Sequence, residues 1–144
     1  MKMNLQTLTK DLCAYNLWAN HELVKQLTEK KEGTAADSIE LPHINQKLSR
    51  LLAVEEEWMQ KIRCKETRSP EERVFEGAID ALLKDLVVQS ESFLNYVSEL
   101  SEETLKEKVA FDISGGGDLK MSRYEMIQHT VGDSTHHRGE IVIS

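Results

Sequence analysis

A chain of 144 residues argues for one domain, and its 40% hydrophobic and 30% charged residues exclude wholesale disorder and a fibrous repeat. Acidic side chains outnumber basic ones 25 to 18, a formal charge of −7, which argues against the concentrated basic surface that nucleic-acid binding needs. No run approaches the ~18 apolar residues of a membrane span, the opening Met1-Lys2-Met3-Asn4-Leu5-Gln6 lacks an apolar export segment, and Cys13 and Cys64 lack a Cys-x-x-Cys spacing, so a cytoplasmic protein without disulfides or a thiolate zinc cluster is expected.

Apolar residues recur at helical spacing, and only Pro42 and Pro70 interrupt the chain, which points to an all-α protein. Leu5, Leu8, Leu12, Tyr15, Trp18, Leu23 and Leu27 form one buried stripe and predict a first helix over about residues 3–30, stopped by Gly33. Residues 33–44, with Gly33, Asp37, Ser38 and Pro42, read as a loop. A second helix over about 45–64 carries Leu48, Leu51, Leu52, Val54, Trp58, Met59 and Ile62 on its apolar face. Lys61, Arg63 and Lys65 suit the negative end of its dipole. Glu55, Glu56 and Glu57 are expected on a solvated face, although Glu55 lies near the stripe. Trp18 and Trp58 are expected as core or end-of-bundle aromatics, and His21 and His43 as solvated.

Ser69-Pro70-Glu71-Glu72 has a cap serine, a proline at the first helical position and a glutamate at the third, so a helix is predicted to start there. Its main body runs from Phe75 through Ile79, Leu82, Leu83, Leu86, Val87, Phe93, Leu94 and Val97 to Leu100, with Gly77 separating off a first turn. From Val109 to Met121 the apolar residues alternate around Gly115-Gly116-Gly117, which suggests a small hairpin or extended loop. Ser122-Arg123-Tyr124-Glu125 is a capping box that opens the last helix. Four amphipathic helices make a four-helix bundle the economical architecture, a single domain over residues 1–144.

Three of the five histidines, His129, His136 and His137, lie on that last helix. With Asp133 and Glu140 they fall within roughly a 100° arc, a placement from which imidazole and carboxylate groups can reach one ion. Met126, Thr130, Asp133, His137 and Ile141 share helical spacing, so Asp133 and His137 are expected to point inward. A carboxylate there needs a partner or an ion. The one Glu-x-x-His spacing, Glu40 to His43, contains Pro42 and argues against a ferritin-like di-iron site.

Leu48-Ser49-Arg50-Leu51-Leu52-Ala53-Val54-Glu55-Glu56-Glu57-Trp58-Met59, Tyr15-Asn16-Leu17-Trp18-Ala19-Asn20, and Gln128-His129 through Thr135-His136-His137-Arg138-Gly139-Glu140-Ile141 together resemble the DinB-like (DNA-damage-inducible, YfiT-like) four-helix-bundle family. The His-Arg-Gly ending is the most specific part. The resemblance implies a cytoplasmic, stress-associated bundle, a homodimer, and an open site of three histidines holding a divalent metal such as zinc or nickel. It also implies chemistry on a small thiol or another small molecule, with no role in nucleic-acid binding; the apolar-run argument above likewise leaves no membrane partner expected. Carried onto this chain, the three histidines of that triad fall on Arg50, Asp133 and His137, and only the last is histidine.

Arg50 and Asp133 carry opposite charges, so the expectation is a polar cluster of Arg50, Asp133 and His137 in the space of the ion. The competing arrangement keeps a metal on His129, Asp133 and His136 or His137, with Arg50 turned to solvent. Two functions follow: a divergent small-molecule-binding or stress-associated member without catalysis, or a metal-dependent thiol S-transferase or hydrolase.

Overall fold

The computed structural model of the chain describes residues 4–33, 41–64, 79–112 and 118–143. Helix α1 (Leu5–Gly33) starts where the Asn4 side chain accepts the Thr7 backbone N–H at 2.8 Å, a side-chain cap for an otherwise unpaired donor. Helix α2 (Leu41–Ile62) starts before the expected position and takes in Pro42 and His43. A proline's preset φ and missing N–H suit a first helical turn, where no intrahelical partner is available. The same helix stops two residues short of expectation, because Cys64 adopts the left-handed φ of 58° and ends the spiral.

Helix α3 spans Ile79–Ser98; the cap expected at Ser69–Glu72, together with Phe75 and Gly77, lies outside the described residues. A short helix, α4 (Glu102–Lys106), was not expected. Ser101 caps it by accepting the Thr104 N–H at 3.1 Å, and Glu102 and Glu103 face its positive end. The alternating segment forms an antiparallel hairpin of β1 (Lys108–Asp112) and β2 (Asp118–Ser122), with Val109 opposite Met121 and Phe111 opposite Leu119. The three glycines that suggested its turn lie outside the described residues. Helix α5 (Arg123–Ile143) opens on the expected capping box. Ser122 Oγ accepts the Glu125 N–H at 3.3 Å, and Glu125 Oε1 accepts the Ser122 N–H at 3.2 Å and its hydroxyl at 2.7 Å. These bonds from Ser122 hold the Glu125 carboxyl below its usual range.

Helix α1 packs on α3 and α5, and α2 packs on the same two helices. Their apolar residues form two clusters. One gathers Cys13, Met59, Phe93, Val97, Met126 and Ile127 with the hairpin residues Val109 and Met121. The other gathers Leu23, Leu48, Leu51, Leu82, Leu86 and Ile141. Each long helix passes from one cluster to the other through a buried polar residue: Asn16 and Asn20 on α1, Glu55 on α2, Ser90 on α3, Ser134 and Arg138 on α5.

That polar layer corrects the expected face of α1. Its buried side is Thr9, Cys13, Asn16, Asn20 and Leu23, whereas Leu8, Tyr15 and Trp18 are 38%, 49% and 58% exposed. Turning the asparagines inward rotates the aromatic residues out. Glu55 is likewise corrected from a solvated face to complete burial, at 0% exposure. Trp58 is half-buried and packs against the first apolar cluster, while His21 and His43 are exposed as expected.

Candidate functional site

The residues expected to carry chemistry lie along α2 and α5. Asp133 is half-buried, and the partner it requires is Trp58, whose Nε1–H donates to Asp133 Oδ2 at 2.8 Å. The indole is held in turn. His129 stacks on it at 5.8 Å and 17°, Phe111 meets it edge-on at 5.8 Å, and Lys61 Nζ lies 5.1 Å from its ring centre. Arg50 is exposed on α2 and reaches this group only through its charge acting on His137.

His137 is half-buried, and that burial is the main cause holding its imidazole below the ordinary value. The nearby carboxylates Glu140 and Asp133 pull the other way, while His136 and Arg50 reinforce the depression. His136 is exposed, 2.9 Å from Glu140 Oε1 through Nε2, and its ring meets His137 edge-on at 5.5 Å. Among the described residues, no three His, Cys, Asp or Glu side chains gather as ligands for one ion. The donor chemistry agrees: a guanidinium has no lone pair to offer a cation, which leaves Asp133 and His137 as the two ligand-type residues at the triad. The triad position therefore does not fit a divalent metal.

The polar layer was not anticipated as a site. Glu55 Oε1 accepts from Asn16 Nδ2 at 3.2 Å and lies 3.2 Å from Ser90 Oγ. Its Oε2 accepts from Asn20 Nδ2 at 2.9 Å and Ser134 Oγ at 3.0 Å. The two amides then present their oxygens to one nitrogen of Arg138, at 2.7 Å from Asn16 and 2.8 Å from Asn20. The other terminal nitrogen of Arg138 donates to Thr135 Oγ1 at 3.0 Å. A carboxyl and a guanidinium thus face each other through two amides. Burial pushes the Glu55 carboxyl above its usual range, against the bonds from Asn20, Ser134 and Asn16 and the charge of Arg138.

The sequence held a signal for this layer. Asn20 ends Trp18-Ala19-Asn20 and Arg138 is the middle of His137-Arg138-Gly139, so the two most distinctive motifs converge on one network. A groove of about 370 Å³ between α1 and α3 is floored by Val24, Leu83 and Val87 and rimmed by His21 and Lys84; none of the expected site residues lines it.

No helix among the described residues is long and apolar enough to cross a membrane. No curated protein and no solved structure matches the chain. The model of the DinB family matches residues 1–144, and the chain therefore belongs to the DinB family.

Proposed function

We propose that this DinB-family protein is a four-helix bundle that binds a small molecule in the cytoplasm without metal-dependent catalysis, its metal triad having been refilled by side chains. The observation that carries the reading is Arg50, which stands where the family resemblance puts a histidine ligand. Asp133, at a second ligand position, is held by the Trp58 indole at 2.8 Å. A cation beside the position repels a second cation and cannot deprotonate to become a ligand. His137 keeps an imidazole, but one ligand does not make an open catalytic site, which takes about three from the protein. Stress association and a homodimer, both implied by the family resemblance, belong to the same reading. The exposed Tyr15–Trp18 pair, 6.0 Å apart on α1, supports a contact surface, and a monomer mass by light scattering would remove the dimer.

The test is metal analysis after chelation and re-addition of zinc or nickel, with thermal melting alongside. A ligand that binds only the folded chain raises its melting temperature. The expected result is an unchanged melting temperature and no ion retained through dialysis. One ion per chain that resists dialysis, and is lost in Asp133→Ala or His137→Ala, would overturn the reading in favour of a metal-dependent thiol S-transferase or hydrolase.

A further inference from the structure

We propose that the outward face of α1 is an interface on which a second copy of this chain packs antiparallel, with Trp18 on the two-fold axis. The inference rests on the homodimer of the reading above and assigns the face that makes it. Among the described residues, the large hydrophobic side chains left exposed are Leu8, Tyr15, Trp18, Val88 and Leu119. Three of these five stand on one stripe of α1, within about 80° of one another around the helix. The Tyr15 and Trp18 rings lie 6.0 Å apart at 36°, so the two aromatic residues form one patch. The inward side of α1 is already closed by Cys13, Asn16, Asn20 and Leu23, and the patch adds nothing to the fold of a single chain. Tyrosine and tryptophan gathered on an outer face are what association uses.

The charge pattern selects a second copy as the occupant. Asp11 and Lys25 lie at equal distances before and after Trp18 in the sequence, each within about 20° of it around the helix. Both are exposed, and neither makes an ion pair among the described residues. A two-fold axis through Trp18 lays one α1 end for end against the other. Asp11 of each copy then meets Lys25 of the other, and the pair forms twice. The same operation sets the Tyr15 hydroxyl beside the Glu22 carboxylate of the second copy. A parallel arrangement would instead set Asp11 against Asp11 and Lys25 against Lys25, like charges at both ends of the patch.

The stripe also sets the crossing. From Asp11 to Trp18, and again from Trp18 to Lys25, it drifts by about 20° around a straight helix. Two rods keep such a stripe in contact by crossing at about 20°. The contact uses the same surface on both copies, so it closes at two chains and does not propagate.

The test is light scattering of the full chain across a dilution series, for wild type and four variants whose substitutions are all at exposed positions. Circular dichroism checks that each keeps its helices. The expected wild-type mass is that of two chains, falling to one chain in Trp18→Glu. Asp11→Lys and Lys25→Asp each set like charges together twice and are expected to raise the dissociation constant by about tenfold at low salt. The double variant Asp11→Lys with Lys25→Asp restores opposite charges in the antiparallel pairing alone, and is expected to recover the wild-type constant. A single-chain mass for wild type overturns the interface and the homodimer together. A two-chain mass that persists in Trp18→Glu, or a double variant no tighter than the single ones, overturns this interface and leaves the homodimer standing on another face.

Discussion

Trp58 donates one 2.8 Å hydrogen bond to Asp133 while its ring carries His129 and Lys61, so a single side chain fixes both charge and shape at the surface of α2 and α5. Replacing Trp58 by Phe keeps an aromatic ring and removes the donor. The loss of stability expected in urea unfolding is about 1.5–3 kcal/mol, the range for a hydrogen bond to a charged group. Helical spacing showed that Asp133 would need a partner; it did not show which, because Trp58 lies 75 positions away on another helix. The two cysteines differ in burial and in their neighbours, Arg123 Nη2 lying 3.4 Å from Cys64 Sγ. Cys13 is 1% exposed, with its thiol pushed up to about 12, and Cys64 is exposed. Brief alkylation of the native protein near pH 8, read by mass spectrometry, is expected to mark Cys64 and leave Cys13 intact, because a protonated buried thiol is a poor nucleophile.

Helix α1 reads as apolar in one direction and packs in another. Its leucine and aromatic rhythm is regular, but the side chains that bond across to α2 and α5 are Asn16 and Asn20. Periodicity counts apolar residues and cannot see that a fully satisfied asparagine belongs inside. Trp18→Ser is therefore expected to change the stability of the dissociated chain by less than about 0.5 kcal/mol. Asn20→Leu should cost more than about 2 kcal/mol, since it strips partners from both Glu55 and Arg138. Chemical denaturation of the two variants side by side checks the contrast. Helix α5 was legible at its start for the opposite reason: a capping box is written within four residues and needs no tertiary context. Ser122→Ala should cost about 1 kcal/mol in the same measurement.

Across the whole molecule, two apolar clusters enclose one polar layer to which all four long helices contribute. Leucine spacing made the helical class legible, and the His-Arg-Gly and Trp-Ala-Asn segments made the family legible. The layer itself was not, because its six members are scattered from Asn16 to Arg138 and only folding collects them. Arg138→Met is expected to destabilise by about 3–5 kcal/mol, the effect of stranding the remaining members of a buried charged network, and a fall in the denaturant midpoint with an unchanged slope would show it.

The layer also limits how these rods can slide past one another. Displacing α2 by a turn would carry Glu55 away from Asn16, Asn20, Ser90 and Ser134 and in among apolar side chains, an error that uniform apolar packing would tolerate and this arrangement does not. Volume-conserving exchanges among the leucines on either side would then alter how tightly the rods close, while the axial alignment stays keyed to a single notch.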